Sequence, residues 1–386
     1  MCWSTLLWAF LALAEGRYPA EDWEGEIFAD CVEADRANKH FAGGMLFVIW
    51  MVRGDLDFFA NSLGLENSNN AGGMCVWCKA NRCELPLEEW AVAFGHVSAP
   101  WNDISPDAMW RRTIWSSHDD WLSWHGGDTQ VNPIFMIPGV SVFTIVPDCM
   151  HIVDLGVTKA VLGNVLYEVC YTPGHSDGVD AESRLHDLWS FIVRQYRAKG
   201  SSSQLHTLTL NMFTDTSAPH STLPLLSGLV KAAIARHLMP VLADFWRERH
   251  RPAYFGDMQI LNMLNALESF YDAFDVSEYL LPAERVATLQ RSTDEFLQYY
   301  RWLHVHSGTH RWQELPKFHG MQHISLHACY QNPRWGWVYL DEDWMGLIKD
   351  ICQSCMNGTA SHKVVPKLLK KWTYGFFGRV LRQEEH

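Results

Sequence analysis

The stretch that most constrains the fold is 44–65, which reads GMLFVIWMVRGDLDFFANSLGL. Every side chain in 45–52 is apolar, and the run stops at Arg53 and Gly54, just before Asp55. A short run that is apolar on both faces is typical of a buried central strand, and it predicts a carboxylate at the strand's exit. Because an isolated buried charge is costly, Asp55 is expected to be paired, hydrogen-bonded or bound to a metal. The alternative is that Asp55 caps a short helix that runs to Leu65.

Length and composition indicate a globular chain with enough residues for a large core. The 386 residues are 48% apolar and 19% charged. The apolar segment 3–14 is too short to span a bilayer and lacks the basic start of a signal peptide, so a buried helix is favoured over secretion. Ten cysteines are too sparse for a disulfide scaffold. We therefore expect a nuclear or intracellular protein without a membrane partner.

The charge balance limits how the chain can meet nucleic acid. A formal net charge of −13 argues against coating DNA by bulk electrostatics, since phosphate contact requires Lys and Arg. One basic run lies in 363–382, which contains six Lys and Arg residues and no acid. Either a solvated helical face or a local DNA contact would explain that run.

The remaining pattern is mainly helical. A second candidate strand, 140–146, brings Asp148 and His151 to its exit. Helical periodicity then recurs in 155–171, 182–198, 223–247, 258–274 and 283–306, and further helices are predicted for 317–329 and 339–355. We interpret 1–154 as the first part of a core, 155–310 as a helical insertion, and 311–386 as C-terminal helices that complete the core and end in a basic tail.

Two separate segments carry the residues of a candidate zinc site. Cys75 and Cys78 form a CxxC pair, which supplies half of a tetrahedral site. His319 and His323 are spaced i, i+4 on a predicted helix, with His327 one turn further on, and paired histidines at that spacing can bind one ion. The prediction is a zinc site made of Cys75, Cys78, His319 and His323; the alternative is that these side chains are only packed.

Three consecutive acids, Asp341, Glu342 and Asp343, open the predicted helix 339–355. Acids in a first turn are favoured by the helix dipole, which is the simplest explanation. The other interpretation is that one of the three faces a site, and periodicity does not decide which one.

Together, these motifs resemble the catalytic region of CACTA-like DDE transposases. The resemblance lies in the order LALAEGRYP, GDLDFFANSLGL, CVWC, DCMHIVDLGV, KFHGMQH and RWGWVYLDEDWMGLIKD. It implies an α+β, mostly helical fold with a partial RNase H-like sheet and a large all-α insertion. It also implies that Asp55 is the second catalytic aspartate, that Asp148 and His151 form the D-x-x-H motif, and that Glu342 is the catalytic glutamate.

The resemblance further implies Mg²⁺ or Mn²⁺ held by Asp55 and Glu342, with DNA as the partner; self-association into a homo-oligomer is left open. The family's first catalytic aspartate and first strands have no counterpart before Asp55. Strand transfer uses two ions bridged by carboxylates, and two acids would hold one ion weakly. We therefore expect a transposase-derived protein, ancestrally a metal-dependent DNA-cleaving enzyme, that is inactive or a fragment. The alternative is a non-catalytic, zinc-stabilised or structural interaction module.

Overall fold

Helices dominate the part of the chain that this computed structural model describes, which comprises residues 2–66, 75–81, 92–93, 107–126, 131–220, 223–307, 311–356 and 358–383. Two compact units divide the chain, Met1–Gly336 and Trp337–His386. The α-helices in the described residues are α1 (Cys2–Glu15), α2 (Val32–Arg36), α3 (Leu56–Leu63), α4 (His118–Trp124), α5 (Lys159–Tyr171), α6 (Ala181–Lys199), α7 (Ala232–Arg249), α8 (Asp257–Phe274), α9 (Ala283–His306), α10 (Pro316–His327), α11 (Tyr339–Met356) and α12 (Ser361–Gln383).

The prediction of a partial RNase H-like sheet is wrong. Within the described residues, the strands are a two-residue parallel pair, β1 (Ala80–Asn81) with β2 (Val92–Ala93). The predicted second strand, 140–146, instead contains a 3₁₀ turn at Val142–Thr144. The fold described here is therefore helical rather than α+β.

The predicted first strand, 45–52, has no regular secondary structure apart from a bridge at Val52, and it is mostly exposed. Leu46, Val48 and Trp50 are 67%, 73% and 66% exposed. Among the described residues, the segment makes one bridge to the other predicted strand: Val52 N–H donates to the Thr144 carbonyl, and Val146 N–H donates to the Val52 carbonyl. A strand needs a hydrogen-bonding neighbour along its whole length, and an apolar run in the sequence does not reveal whether one exists.

The helical prediction for the middle of the chain is confirmed except at two helix starts: the predicted helix 223–247 begins only at Ala232, and residues 155–158 belong to a π-helix. α8 shows why: Ile260, Leu264, Leu267, Tyr271 and Phe274 recur at helical spacing and are all at most 5% exposed. α8 lies along α9, and it also packs on α7. This arrangement buries a continuous apolar core, which is the main source of stability for a helical domain.

A nine-residue π-helix, Met150–Thr158, leads directly into α5. It packs against α7 and α10, and six of its nine residues are at most 1% exposed, including Asp154. The Tyr271 hydroxyl donates to Asp154 Oδ1, which satisfies that buried carboxylate. π-Helix is rare and, where it occurs, often lies at functional sites. Here it contains His151 of the D-x-x-H motif.

In the second unit, α11 packs against α12. Trp344 and Trp372 meet edge to face, with ring centroids 5.6 Å apart. Val364, Leu368 and Trp372, spaced i, i+4, i+8, are the less exposed positions within 361–374, the part of α12 whose side chains the structure describes. In the part of the chain that the structure describes, no helix is both long and apolar enough to cross a bilayer.

Candidate metal centre

Four buried side chains from two distant segments meet in the first unit. Cys75, Cys78, His319 and His323 each place one donor atom within 4.8 Å of the others. Cys78 Sγ lies 3.2 Å from His319 Nε2, and the Nε2 atoms of His319 and His323 are 3.0 Å apart. We refer to these four residues as the Cys₂His₂ cluster. The predicted grouping of these four residues is confirmed.

The cysteine side of the cluster is a loop held by tryptophan hydrogen bonds. Trp77, between the two cysteines, donates its ring N–H to the Ile145 carbonyl at 2.8 Å. Trp115 donates its ring N–H to the Val76 carbonyl at 2.7 Å. Both indoles are at most 5% exposed. Cys78 also forms an antiparallel bridge with Ile114, so backbone and indole hydrogen bonds together place the two thiols.

The histidine side of the cluster is one face of α10. Pro316 stands at the start of the helix, where its missing N–H costs nothing, and the i, i+4 spacing places His319 and His323 on the same face. His327, one turn further on, lies outside the cluster. Two histidine donors on rigid helical backbone are preorganised for a single ion.

Aromatic rings cover the cluster. The Trp110 ring is 5.2 Å from that of His319 and 5.8 Å from that of His323, and the Trp77 ring is 5.7 Å from that of His323. Trp110 is fully buried. This shell keeps water away from the donors and lowers the local dielectric, which strengthens an ion–ligand interaction.

The pKa shifts in the cluster favour a neutral His323 and, without a cation, a protonated Cys75. Burial lowers the pKa of His323 well below its ordinary value, and the neighbouring His319 adds to that shift, so the imidazole is neutral and able to ligate. Burial raises the pKa of Cys75, and a hydrogen bond with Cys78 adds to the rise. Cysteine binds a metal only as the thiolate. A divalent cation supplies the positive charge that stabilises two buried thiolates.

The donor set fits a tetrahedral site. Zn–S bonds of about 2.3 Å and Zn–N bonds of about 2.0–2.1 Å give ligand-to-ligand distances of about 3.3–3.8 Å. The distances of 3.0 and 3.2 Å within the cluster lie just below that range, and no pair of donor atoms is further apart than 4.8 Å. Small side-chain adjustments would therefore complete the coordination, and the Cys₂His₂ cluster could hold a metal ion.

The acids that the resemblance assigns to catalysis have structural roles in the first unit. Asp55 caps α3: its Oδ1 accepts from the Phe58 N–H at 2.5 Å, which is the capping alternative. Asp148 is 2% exposed, accepts from the Met150 N–H at 2.9 Å, and lies 2.5 Å from His151 Nδ1. The D-x-x-H pair is thus a local hydrogen-bonded unit at the start of the π-helix.

Lys317, which its sequence pattern did not single out, interacts electrostatically with these acids. Burial lowers the pKa of Lys317, and the nearby carboxylates of Asp148, Asp57 and Asp55 oppose that shift. The stem of Lys317 crosses the π-helix at Gly156, where an added Cβ would lie 2.2 Å from Lys317 Cδ. Asp55 and Asp148 therefore both act electrostatically on the same lysine. Lys317 is the first residue of the KFHGMQH motif, and its place in that motif is the sequence feature that could have identified it.

Glu342, the remaining predicted catalytic residue, lies in the first turn of α11 and belongs to the second compact unit. Its N–H donates to the Val338 carbonyl at 2.8 Å, an ordinary helical bond. Its role as a ligand of Mg²⁺ or Mn²⁺ beside Asp55 stays a prediction.

Comparison with known proteins gives no further identification: no family model, no curated protein and no solved structure matches this chain.

Proposed function

We propose that this protein is a non-catalytic, zinc-stabilised module, in which one structural zinc ion joins the CxxC loop to α10. The observation that carries the proposal is the convergence of two buried cysteines and two buried histidines within 4.8 Å. Zinc is the ion of choice because mixed thiolate and imidazole ligands in a closed tetrahedral site are typical of structural zinc. All four positions of such a site are taken by protein, which leaves no open position for a substrate.

The stabilising effect follows from chain connectivity. Cys78 and His319 are 241 positions apart, so an ion between them would close a very long loop. Loop closure by the folded chain costs entropy, and an ion that binds only the folded arrangement offsets that cost by its binding free energy. The module would depend on zinc most strongly where regular structure is scarce, in the loop around Cys75 and Cys78.

Zinc content tests the proposal directly. We expect the purified wild-type chain to hold one zinc per molecule by mass spectrometry of the metal, and Cys75→Ser and His323→Ala to lose it. Cys170→Ser is the matched control, since Cys170 is an equally buried thiol in α5 that lies outside the cluster. Absence of zinc from a folded wild type, or equal zinc in Cys75→Ser, would remove the proposal.

A second candidate function is metal-dependent DNA cleavage by a transposase-derived core, with Mg²⁺ or Mn²⁺. One observation favours it: the carboxylates of Asp55 and Asp148, two of the acids assigned by resemblance, both act on the pKa of Lys317. The same lysine also weakens it, because an ammonium group competes for the carboxylates that a divalent cation would need. Plasmid nicking that requires Mn²⁺ and disappears in Asp55→Ala, Asp148→Ala and Glu342→Ala would support cleavage, whereas equal nicking by all variants would indicate contamination.

DNA contact, apart from cleavage, has a separate candidate surface on α12. Lys363, Lys367, Lys370 and Lys371 are exposed and fall on one side of that helix. On duplex DNA, each phosphate that the protein neutralises contributes about 0.9 to the slope of log affinity against log salt. Replacing the four lysines by alanine should therefore flatten the salt dependence of duplex binding, and an unchanged slope would remove this surface from consideration.

A further inference from the structure

A cavity of about 690 Å³ lies beside the Cys₂His₂ cluster, and neither the metal proposal nor the DNA proposal uses it. Its walls come from the CxxC loop, the segment 114–116, the 142–146 turn and the C-terminal end of α10. The volume is within the range of about 300–1,000 Å³ that is usual for small-molecule sites. His323 lines the cavity as well as contributing to the cluster.

Aromatic side chains form much of the wall. The described residues that line the cavity include Trp50, Trp77, Trp115, Phe143 and Tyr330. Two of these rings are fixed by the hydrogen bonds from Trp77 to the Ile145 carbonyl and from Trp115 to the Val76 carbonyl. Rings that are held in place offer stacking surfaces at little entropic cost to binding.

The cavity carries no formal charge on its described lining. None of those lining residues is Asp, Glu, Lys or Arg. Burial lowers the pKa of His327, one of the lining residues, to about 4, so its imidazole is neutral at pH 7. A charged ligand would lose its hydration here without gaining a counter-charge.

A few polar groups remain to orient a ligand. Gln331 uses its carbonyl oxygen to accept from the Tyr279 hydroxyl at 3.0 Å, and Gln290 uses its amide N–H to donate to the Ser325 carbonyl at 3.4 Å. Within the described part of the chain, the opposite ends of these two amides, the Gln331 N–H₂ and the Gln290 carbonyl oxygen, have no hydrogen-bond partner. One donor and one acceptor are thus present in an otherwise apolar, aromatic wall.

We infer that this cavity binds an uncharged, planar aromatic molecule that carries a hydrogen-bonding group on its edge. The ring system would stack on the indoles, and the edge would meet the glutamine amides. Charge-neutral walls exclude carboxylates and phosphates, and aromatic walls favour flat ligands over flexible chains.

The test uses 5-fluoroindole as the probe, followed by ¹⁹F NMR with the zinc-loaded full chain. We expect saturable binding of one probe per chain, and at least tenfold weaker binding of 5-fluoroindole-3-acetate, which adds a negative charge to the same ring. Leu326→Trp, which enlarges a half-buried lining residue, should fill the cavity and weaken binding at least tenfold. Leu229→Trp is the matched control, because Leu229 is 91% exposed and lies outside the lining; it should bind normally.

A milder variant guards against misfolding of Leu326→Trp. Tyr330 lines the cavity but is 73% exposed, so Tyr330→Ala should fold and should weaken probe binding about threefold to tenfold because one aromatic wall is removed. Zinc content is measured on the same samples, which separates loss of this site from loss of the metal. No saturable binding by wild type, equal binding of the anionic probe, or unchanged binding in both lining variants would overturn the inference.

Discussion

The CxxC region and the helical middle of this chain are held together in different ways. α8 and α9 bury regularly spaced apolar side chains against each other, so their stability is spread over many contacts. The loop 75–81 and the segment 107–116 contain only β1, a 3₁₀ helix at Met109–Thr113 and an antiparallel bridge between Cys78 and Ile114. They depend on these few backbone bonds together with the Cys₂His₂ cluster and the tryptophan hydrogen bonds. Loss of the metal or of one directional contact should therefore disorder the CxxC region. The helical core should instead lose stability gradually as single side chains are truncated.

Metal removal should have the largest effect, and that effect should be confined to the CxxC region. Structural zinc contributes about 10–16 kcal/mol of apparent binding free energy in small domains, more than the stability of many whole domains. A chelator should therefore abolish protection of amides against hydrogen exchange in 75–81 and 107–116, while α8 and α9 remain protected. The same chelator should leave Cys75→Ser unchanged, and uniform loss of protection along the chain would break the comparison.

Truncating a buried side chain in the helical core should destabilise that core without affecting the CxxC region. Phe270, in α8, is fully buried, and Phe270→Ala should lower the free energy of unfolding by about 3–5 kcal/mol. Denaturant titration measures the loss, which should be similar with and without chelator. Phe255 is 69% exposed, and Phe255→Ala should cost less than about 1 kcal/mol. A Phe270→Ala cost that depends on zinc would mean that the two regions are not independent.

Acid should reveal His327, which lies on α10 one turn beyond the cluster. Its pKa of about 4 in the folded chain is below the ordinary 6.5, so the unfolded chain takes up the proton first as the pH falls. Stability is therefore lost between about pH 6.5 and pH 4, by up to about 3 kcal/mol from this group. Denaturation curves of His327→Gln should show a shallower decline over that range than wild type, and equal slopes would contradict a buried neutral imidazole.

Capping should give the smallest effect and should separate structure from catalysis at Asp55. Asp55→Ala removes the hydrogen bond to the Phe58 N–H and should cost about 1 kcal/mol, close to the cost of Asp180→Ala at the start of α6. Asp55→Asn should keep most of that stability, because asparagine caps as well as aspartate. A metal-dependent activity that Asp55→Asn abolishes would show a role beyond capping.

The sequence predicted local features well and non-local ones unevenly. Periodic apolar positions identified α6, α8 and α9, because a helix makes its backbone hydrogen bonds within itself. The same reasoning failed for 45–52 and 140–146, since a strand exists only beside a partner and these two segments share one bridge, at Val52. The residues of the Cys₂His₂ cluster could be matched across the chain because CxxC and i, i+4 histidines each supply half of one coordination geometry.

Other features left no readable pattern. The electrostatic influence of Asp55 and Asp148 on Lys317 arises only from the tertiary fold, and the aromatic walls of the cavity come from segments as far apart as Trp50 and Tyr330. The number of tryptophans, 19, was visible, but their hydrogen bonds to loop carbonyls were not. A side chain that hydrogen-bonds to a loop far away in the sequence has no regular spacing from that loop, so the contact cannot be predicted from periodicity.

X-ray absorption at the zinc edge tests the central claim most directly, because it reports both the metal and its ligands. For the purified wild-type chain we expect a first shell of two sulfur atoms at about 2.3 Å and two nitrogen atoms at about 2.0–2.1 Å. Cys75→Ser should lose the metal or one sulfur, while Cys170→Ser should give the wild-type spectrum. A zinc-free folded protein, or a zinc shell of oxygen and nitrogen without sulfur, would contradict the claim that Cys75, Cys78, His319 and His323 hold a structural ion.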